Sequence, residues 1–199
     1  MKKFLFITLA LALMAGTHAQ VYDGITQPTK YRLLVPTTIN ADNGAVSVAP
    51  FVGYKYQALE SFSATTVLQY NVASGSFVPQ VWLNLNVAGH FYLLTRSSYD
   101  IGADVFKQGL ASTVKLPLGF MIDCTWDNIY NGHQFLDNDR LQVVGGYAHK
   151  WLVINVGYSM RHSPGFIANA RLKATEYTWL QLKYDGGLNA VTISSVFNV

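Results

Sequence analysis

Between residues 151 and 185 the chain changes character at every second position. Leu152, Ile154, Val156, Tyr158 and Met160 fall on one side, and Val153, Asn155, Gly157, Ser159 and Arg161 on the other. After His-Ser-Pro-Gly the pattern restarts, with Phe166, Ala168, Ala170, Leu172 and Ala174 set against Asn169, Arg171, Lys173 and Thr175. It restarts again as Leu180, Leu182 and Tyr184 against Gln181, Lys183 and Asp185. A period of two over such lengths marks strands with two unlike faces. One face here is wholly apolar and the other carries full charges. A water-soluble sandwich hides its apolar face and wets its polar one; a barrel in lipid does the reverse.

The rest of the chain follows the same rule with interruptions. Tyr31, Leu33, Val35 and Ile39 alternate with Lys30, Arg32, Thr38 and Asn40, and Asn43-Gly44 supplies the positive φ of a hairpin turn. The next face is small or polar at Ala45, Ser47, Ala49, Gly53, Lys55 and Gln57, broken by Phe51. Residues 62–73 and 77–88 form a further pair, in which Val81, Leu83, Leu85 and Val87 oppose Gln80, Trp82, Asn84 and Asn86. The pattern blurs where Phe91, Tyr92, Leu93 and Leu94 are consecutive, and 100–111 reads equally as loop, short helix or bent strand. It returns with Val114, Leu116, Leu118, Phe120 and Ile122 against Lys115, Gly119 and Asp123. Residues 125–139 show no period and are expected to form a long irregular loop, of the kind that is usually functional or mobile. The fold expected for residues 30–199 is therefore an all-β, antiparallel up-and-down outer-membrane β-barrel of about 10–12 strands, with 20–29 as a periplasmic lead-in.

Composition supports this. Half of the 199 residues are hydrophobic and 13% are charged, with a mean hydropathy of +0.19. No apolar run after the first twenty positions is long enough for a membrane helix. Lys2, Lys3, an apolar stretch and the small residues up to Ala19 read as a secretory signal over 1–19. Without it, 12 basic residues face 11 acidic ones, which gives no ground for a nucleic-acid partner. The single cysteine, Cys124, has no intramolecular partner, so a closed hydrogen-bonded wall must replace disulfides in a secreted chain. Tyr31, Tyr54, Tyr56, Tyr70, Trp151, Tyr158, Tyr177, Trp179 and Tyr184 lie near strand ends, where aromatic rings form the interfacial girdles of a membrane barrel.

Little points to catalysis. Nucleotide-binding loops, paired cysteines and hydrolase or metalloprotease motifs are absent, and the histidines lack metal-ligand spacing, so no cofactor or metal is expected. His162 and Ser163 resemble only loosely the His-x-Ser-Asn of outer-membrane lipid A deacylases. Being adjacent, they point apart in a strand and cannot easily share a nucleophile–base hydrogen bond. The charges on the inner faces are more informative: Arg32, Lys55, Lys115, Arg161, Arg171, Lys173 and Lys183, against Asp123 and Asp185. Two readings stay open. Either the 125–139 loop, a candidate plug or partner-binding segment (Trp126, Asp127, Tyr130, His133, Phe135, Asp137, Asp139), folds in so that its acids pair with the strand bases and fill the lumen, or a basic, anion-preferring pore runs through it. Narrow barrels are mostly filled by side chains, which favours the plug.

Both ends of the chain resemble the PorP/SprF outer-membrane proteins of Bacteroidota. At the start the likeness lies in Gln27-Pro28, in Val35-Pro36-Thr37-Thr38-Ile39-Asn40-Ala41-Asp42-Asn43-Gly44 and in Val46-Ser47-Val48. At the end it lies in Trp151, Gly157-Tyr158-Ser159-Met160-Arg161 and Tyr177-Thr178-Trp179-Leu180-Gln181-Leu182-Lys183-Tyr184-Asp185. About a third of the chain is covered. Ala41 stands where the family has Pro, and the family's late Ser-His-Glu is missing. The resemblance implies a non-enzymatic accessory to type IX secretion, embedded in outer-membrane lipid. Such a protein helps export or anchor a large adhesin by binding its C-terminal domain or other secretion components. The alternative is a small porin-like diffusion channel.

Overall fold

The computed structural model describes residues 30–87, 89–132, 134–136 and 139–198. The expected signal and lead-in, together with His133 and Asp137, lie outside the described residues. Fourteen strands run in chain order: β1 (Tyr31–Asn40), β2 (Val46–Val48), β3 (Phe51–Leu59), β4 (Phe62–Asn71), β5 (Ser76–Val87), β6 (Phe91–Asp100) and β7 (Val105–Lys115). They continue as β8 (Phe120–Asn131), β9 (Gln134–Phe135), β10 (Arg140–Ala148), β11 (Leu152–Arg161), β12 (Gly165–Lys173), β13 (Thr178–Asp185) and β14 (Ala190–Asn198). Each pairs antiparallel with its neighbour, and β1 pairs with β14 from Arg32↔Asn198 to Asn40↔Ala190, which closes the sheet. β2 and β3 share one stave beside β1, as do β9 and β10 beside β8, so the described residues form a barrel of twelve staves. An even number brings the start of β1 and the finish of β14 to the same end, here called the near end.

Closure satisfies the wall's backbone polar groups without water, as hydrocarbon requires. The alternation then decides what faces where. Along β11, Val153 and Asn155 are 3% and 1% exposed, whereas Ile154 and Val156 are 45% and 50% exposed. The same contrast separates Gln181 and Lys183 from Leu180 and Leu182 on β13. A continuous apolar outer surface on this scale is a lipid belt. Rings gather at both margins: Tyr31 with Tyr54 and Phe120 with Tyr147 at the near end, Tyr70 with Phe77 and Phe106 with Tyr130 at the far end. Trp179 is a correction to the expected girdle. It points inward, is 7% exposed, and packs under the Arg171 guanidinium, 4.9 Å from the ring centroid.

The two unclear stretches are strands. Residues 101–104 form a tight turn between β6 and β7, and the β7–β8 register shifts between Gln108 and Leu110. Burial nonetheless alternates from Val105 to Lys115; the segment is hard to read because its outward positions include Gln108 and Ser112 and its inward ones Val105, Gly109 and Ala111, so the two faces differ little in polarity. Phe91 to Leu94 is apolar on both faces because Tyr92 and Leu94 point into an apolar part of the interior. The expected irregular loop is mostly wall as well. Trp126, Asp127 and Tyr130 belong to β8, which bends at Asn128 (φ 55), and Phe135 lies on β9, opposite Tyr130. Asp139 is buried just ahead of β10. Polar side chains on the inner face of β8 had disguised a strand as a loop.

Candidate functional site: the lumen

The interior is where the chain's chemistry collects. It is built in levels along the axis. The middle is apolar: Leu34, Phe51, Val67, Trp82, Leu94, Ala111, Met121, Val153, Trp179 and Val196 form one cluster, drawn from ten of the twelve staves and nowhere more than 7% exposed. Phe51 meets Trp82 edge to face at 5.8 Å. The Trp82 indole N–H donates to Gln80 at 3.0 Å, which satisfies its polar atom inside the seal. Phe51, an irregular position in the sequence pattern, is thus part of the layer that closes the barrel.

Beyond the seal, toward the far end, lies a network of ion pairs. Arg140 donates through both terminal nitrogens to Asp185, at 2.7 and 2.5 Å, and through Nε to Ser159 at 2.6 Å. Lys183 Nζ stands 3.6 Å from the same carboxylate. Both partners of the arginine pair are about nineteen-twentieths buried, and the two-pronged geometry is the one that suits a guanidinium in a dry site. Arg96 pairs with Asp127 at 2.5 Å across β6 and β8. Gly109 lies beside that pair, and a side chain there would meet it at ordinary van der Waals distance. A Cβ on Gly109 would stand 3.4 Å from the Asp127 carboxylate and 3.6 Å from the Arg96 guanidinium. Asp139 receives Arg161 Nε at 2.8 Å and the Trp126 indole N–H at 2.6 Å, with His162 Nδ1 3.9 Å away.

On the near side of the seal the bases hold different partners. Arg32 donates to the Asn198 amide oxygen at 3.1 Å. Lys115 donates to the Tyr92 hydroxyl at 2.8 Å and lies 4.6 Å over its ring. Lys55 sits half-buried two residues beyond Gly53, the register partner of Arg32. Asp123, 1% exposed, accepts the Thr113 hydroxyl at 2.6 Å next to Met121 of the seal.

Of the inner charges named from sequence, Arg32, Lys55, Lys115, Asp123, Arg171 and Lys183 line the interior, while Arg161 and Lys173 are exposed where their strands end. Arg96 and Arg140 were missed. Arg140 could have been found from the alternation of Arg140, Gln142 and Val144, which continues the β10 pattern backwards; Arg96 lay behind the run of apolar residues. His162 is exposed at a turn and Ser163 has a positive φ of 63, so these neighbours share no strand face. Among the described residues no cluster of metal-ligating side chains occurs.

No family model and no curated protein matches the chain. Solved structures do match by shape. The KdgM porin superposes with a TM-score of 0.57 at 8% identity, covering 84% of this chain and 99% of the porin. Its complex with disordered oligogalacturonate gives 0.55, also at 8% identity, with the same coverage of both chains. The COG4313 outer membrane channel from Pseudomonas putida F1 gives 0.57 at 13% identity, covering 89% of this chain and 98% of the channel. Likeness at such identities speaks for the fold. Together with the lipid belt, the girdles and the closed twelve-stave wall, it makes this chain an outer-membrane β-barrel of the architecture that porins and channels share.

Proposed function

We propose that the protein is a narrow outer-membrane channel for small anions, closed by the apolar seal in the state described. The observation that carries this reading is the sign of the inner wall. Among the described residues Arg32, Lys55, Arg96, Lys115, Arg140, Arg171 and Lys183 occupy inner positions, against Asp123, Asp127, Asp185 and the buried Asp139, an excess of positive charge. A low-dielectric tube with an excess of one sign of charge favours ions of the other, and a hydrophobic constriction gates by excluding water. The channel-like architecture of the structural neighbours supports it. Planar-bilayer recording tests it. The wild type should pass little current, and the double variant Phe51→Ala/Trp82→Ala should open steps with an anion-selective reversal potential. Folded double variant without conductance, or with cation selectivity, removes the channel reading.

The seal itself favours a second reading, a non-conducting barrel that serves as a secretion partner, in line with the resemblance of both chain ends to PorP/SprF proteins. On that reading a secreted adhesin co-purifies with the detergent-extracted protein, and deleting the gene removes the adhesin from the cell surface. Unchanged adhesin display would rule it out.

A further inference from the structure

The near-end rim is uneven on its outside. Most of its turns carry a polar side chain: Glu60, His90, Lys150 and Glu176. The turn between β7 and β8 does not. From Leu116 through Pro117, Leu118 and Gly119 to Phe120 it is apolar, and Leu118 is 86% exposed. Leu118 also has a φ of 61, which a bulky side chain rarely adopts. Gly119, with a φ of 85, presses the turn against the end of β10, since a Cβ there would stand 2.6 Å from the Ala148 carbonyl oxygen. The tip is thus fixed beyond the Phe120–Tyr147 ring pair that marks the near-end margin of the lipid belt. Bases stand beside it. Lys150 lies in the next turn along the rim, and Lys173 closes β12, where its backbone N–H donates to the Trp151 carbonyl oxygen at 2.9 Å. Both lysine side chains are exposed, and among the described residues no carboxylate pairs with either, Glu176 included. Trp151, 52% exposed, meets His149 edge to face at 5.8 Å in the same turn.

Leu116 and Phe120 face outward and are themselves exposed, so the apolar tip is continuous with the wall that meets lipid. An apolar surface that runs out of the belt and ends among cations suits one kind of ligand, an amphiphile with acyl chains and an anionic head. Lysines close to an acidic lipid surface each favour binding about fivefold, and a tryptophan at a strand end sits well at headgroup level. We infer that this sector of the near-end rim is a binding site for an acidic phospholipid. Its acyl chains lie along Leu116 and Phe120 beneath Leu118, and its phosphate is held by Lys150 and Lys173. The site is on the outside of the wall and does not depend on whether the lumen conducts or on whether a secreted protein binds the barrel.

Native mass spectrometry of the full-length barrel, released from nanodiscs of equal phosphatidylglycerol and phosphatidylcholine, tests the site. The wild type should retain phosphatidylglycerol in preference to phosphatidylcholine. Lys150→Gln/Lys173→Gln should lower that preference about tenfold or more, from the two lysine contributions together. Lys30→Gln, at the start of β1 on the same rim, should leave it within about twofold. Leu118→Ser should reduce retention of phosphatidylglycerol about threefold or more, because it strips apolar contact from the acyl chains. All four positions are exposed, and heat-modifiable gel mobility confirms that each variant is folded. Equal retention of the two lipids by the wild type, or an unchanged preference in the double lysine variant, overturns the inference. Inorganic phosphate added before release should leave the lipid in place; its loss would assign the lysines to a free anion and overturn the lipid site. A second copy of the chain, or another protein, retained by the wild type and lost in Leu118→Ser would assign the tip to a protein contact and overturn it as well.

Discussion

The two halves of the lumen hold their charges by different means. In the far half a base is matched by an acid: Arg140 with Asp185 and Arg96 with Asp127, both within hydrogen-bond distance. In the near half Arg32 and Lys115 rest on neutral groups, an amide and a phenol. The first arrangement is structural, because a buried ion is tolerable only while its partner stays in place. In the second, the contacts on the bases come from neutral acceptors and an aromatic ring, so each contact is a single hydrogen bond or a cation–π stack and not a two-pronged ion pair. A single wall thus carries ion pairs, one of them two-pronged, in one half and lighter contacts on its bases in the other, with an apolar layer between them.

Removing one half of a far-side pair should have the largest effect on stability. Arg140→Ala removes both guanidinium hydrogen bonds from the Asp185 carboxylate, 4% exposed, leaving Lys183 at 3.6 Å as its nearby base, and strips Ser159 of its donor. Loss of one partner from a buried pair costs about 3–5 kcal/mol. The urea midpoint of barrel unfolding in lipid vesicles should fall accordingly. A midpoint unchanged from wild type would show that water reaches Asp185 and that the far half is not dry.

A weaker change should follow on the near side. Lys115→Ala removes one hydrogen bond to Tyr92 and one cation over its ring. Those contacts amount to about 1 kcal/mol each at a partly exposed site, and part of that returns as relief of repulsion among like charges. The expected loss is below about 1.5 kcal/mol, read from the same unfolding curves. A drop as large as that of Arg140→Ala would mean that the near-side bases are structural too, and the contrast between the halves would disappear.

Most of the wall was legible in the sequence because it follows from a period of two. β11, β12 and β13 alternate cleanly, since one face meets lipid and the other a mixed polar interior. Legibility failed where the interior changes character. Beside the seal, Tyr92 and Leu94 are apolar on the inside, so β6 lost its contrast; on β7 the outward Gln108 and Ser112 and the inward Gly109 and Ala111 blurred the two faces; and on β8 the inward Thr125 and Asp127 looked like loop chemistry. Trp179 was placed in the girdle because an aromatic near a strand end suits either face, and only the register with Lys173 and Val196 puts it inside. The ion pairs were hidden for another reason. Arg140 and Asp185 are 45 residues apart, and Arg96 and Asp127 are 31 apart, so no local pattern links them. Their partnership exists only once closure fixes which staves are neighbours across the bore.

The outer surface provides the smallest effect and the control for the others. Tyr31 and Tyr54 are register partners on β1 and β3, with ring centroids 5.2 Å apart, and both rings lie on the outside at 54% and 42% exposure. In water, truncating such rings would remove little burial; in a bilayer the surface they cover is lipid, which an apolar replacement covers equally well. Tyr54→Leu therefore loses the cross-strand aromatic contact and the interfacial hydroxyl while keeping the belt intact. Aromatic pairs contribute about 0.5–1.5 kcal/mol beyond their area, so the loss read from the unfolding midpoint should fall within that range. If Tyr54→Leu instead costs as much as Arg140→Ala, the ring is buried against something other than lipid. The outward face of β1 and β3 would then be a protein contact and not part of the belt.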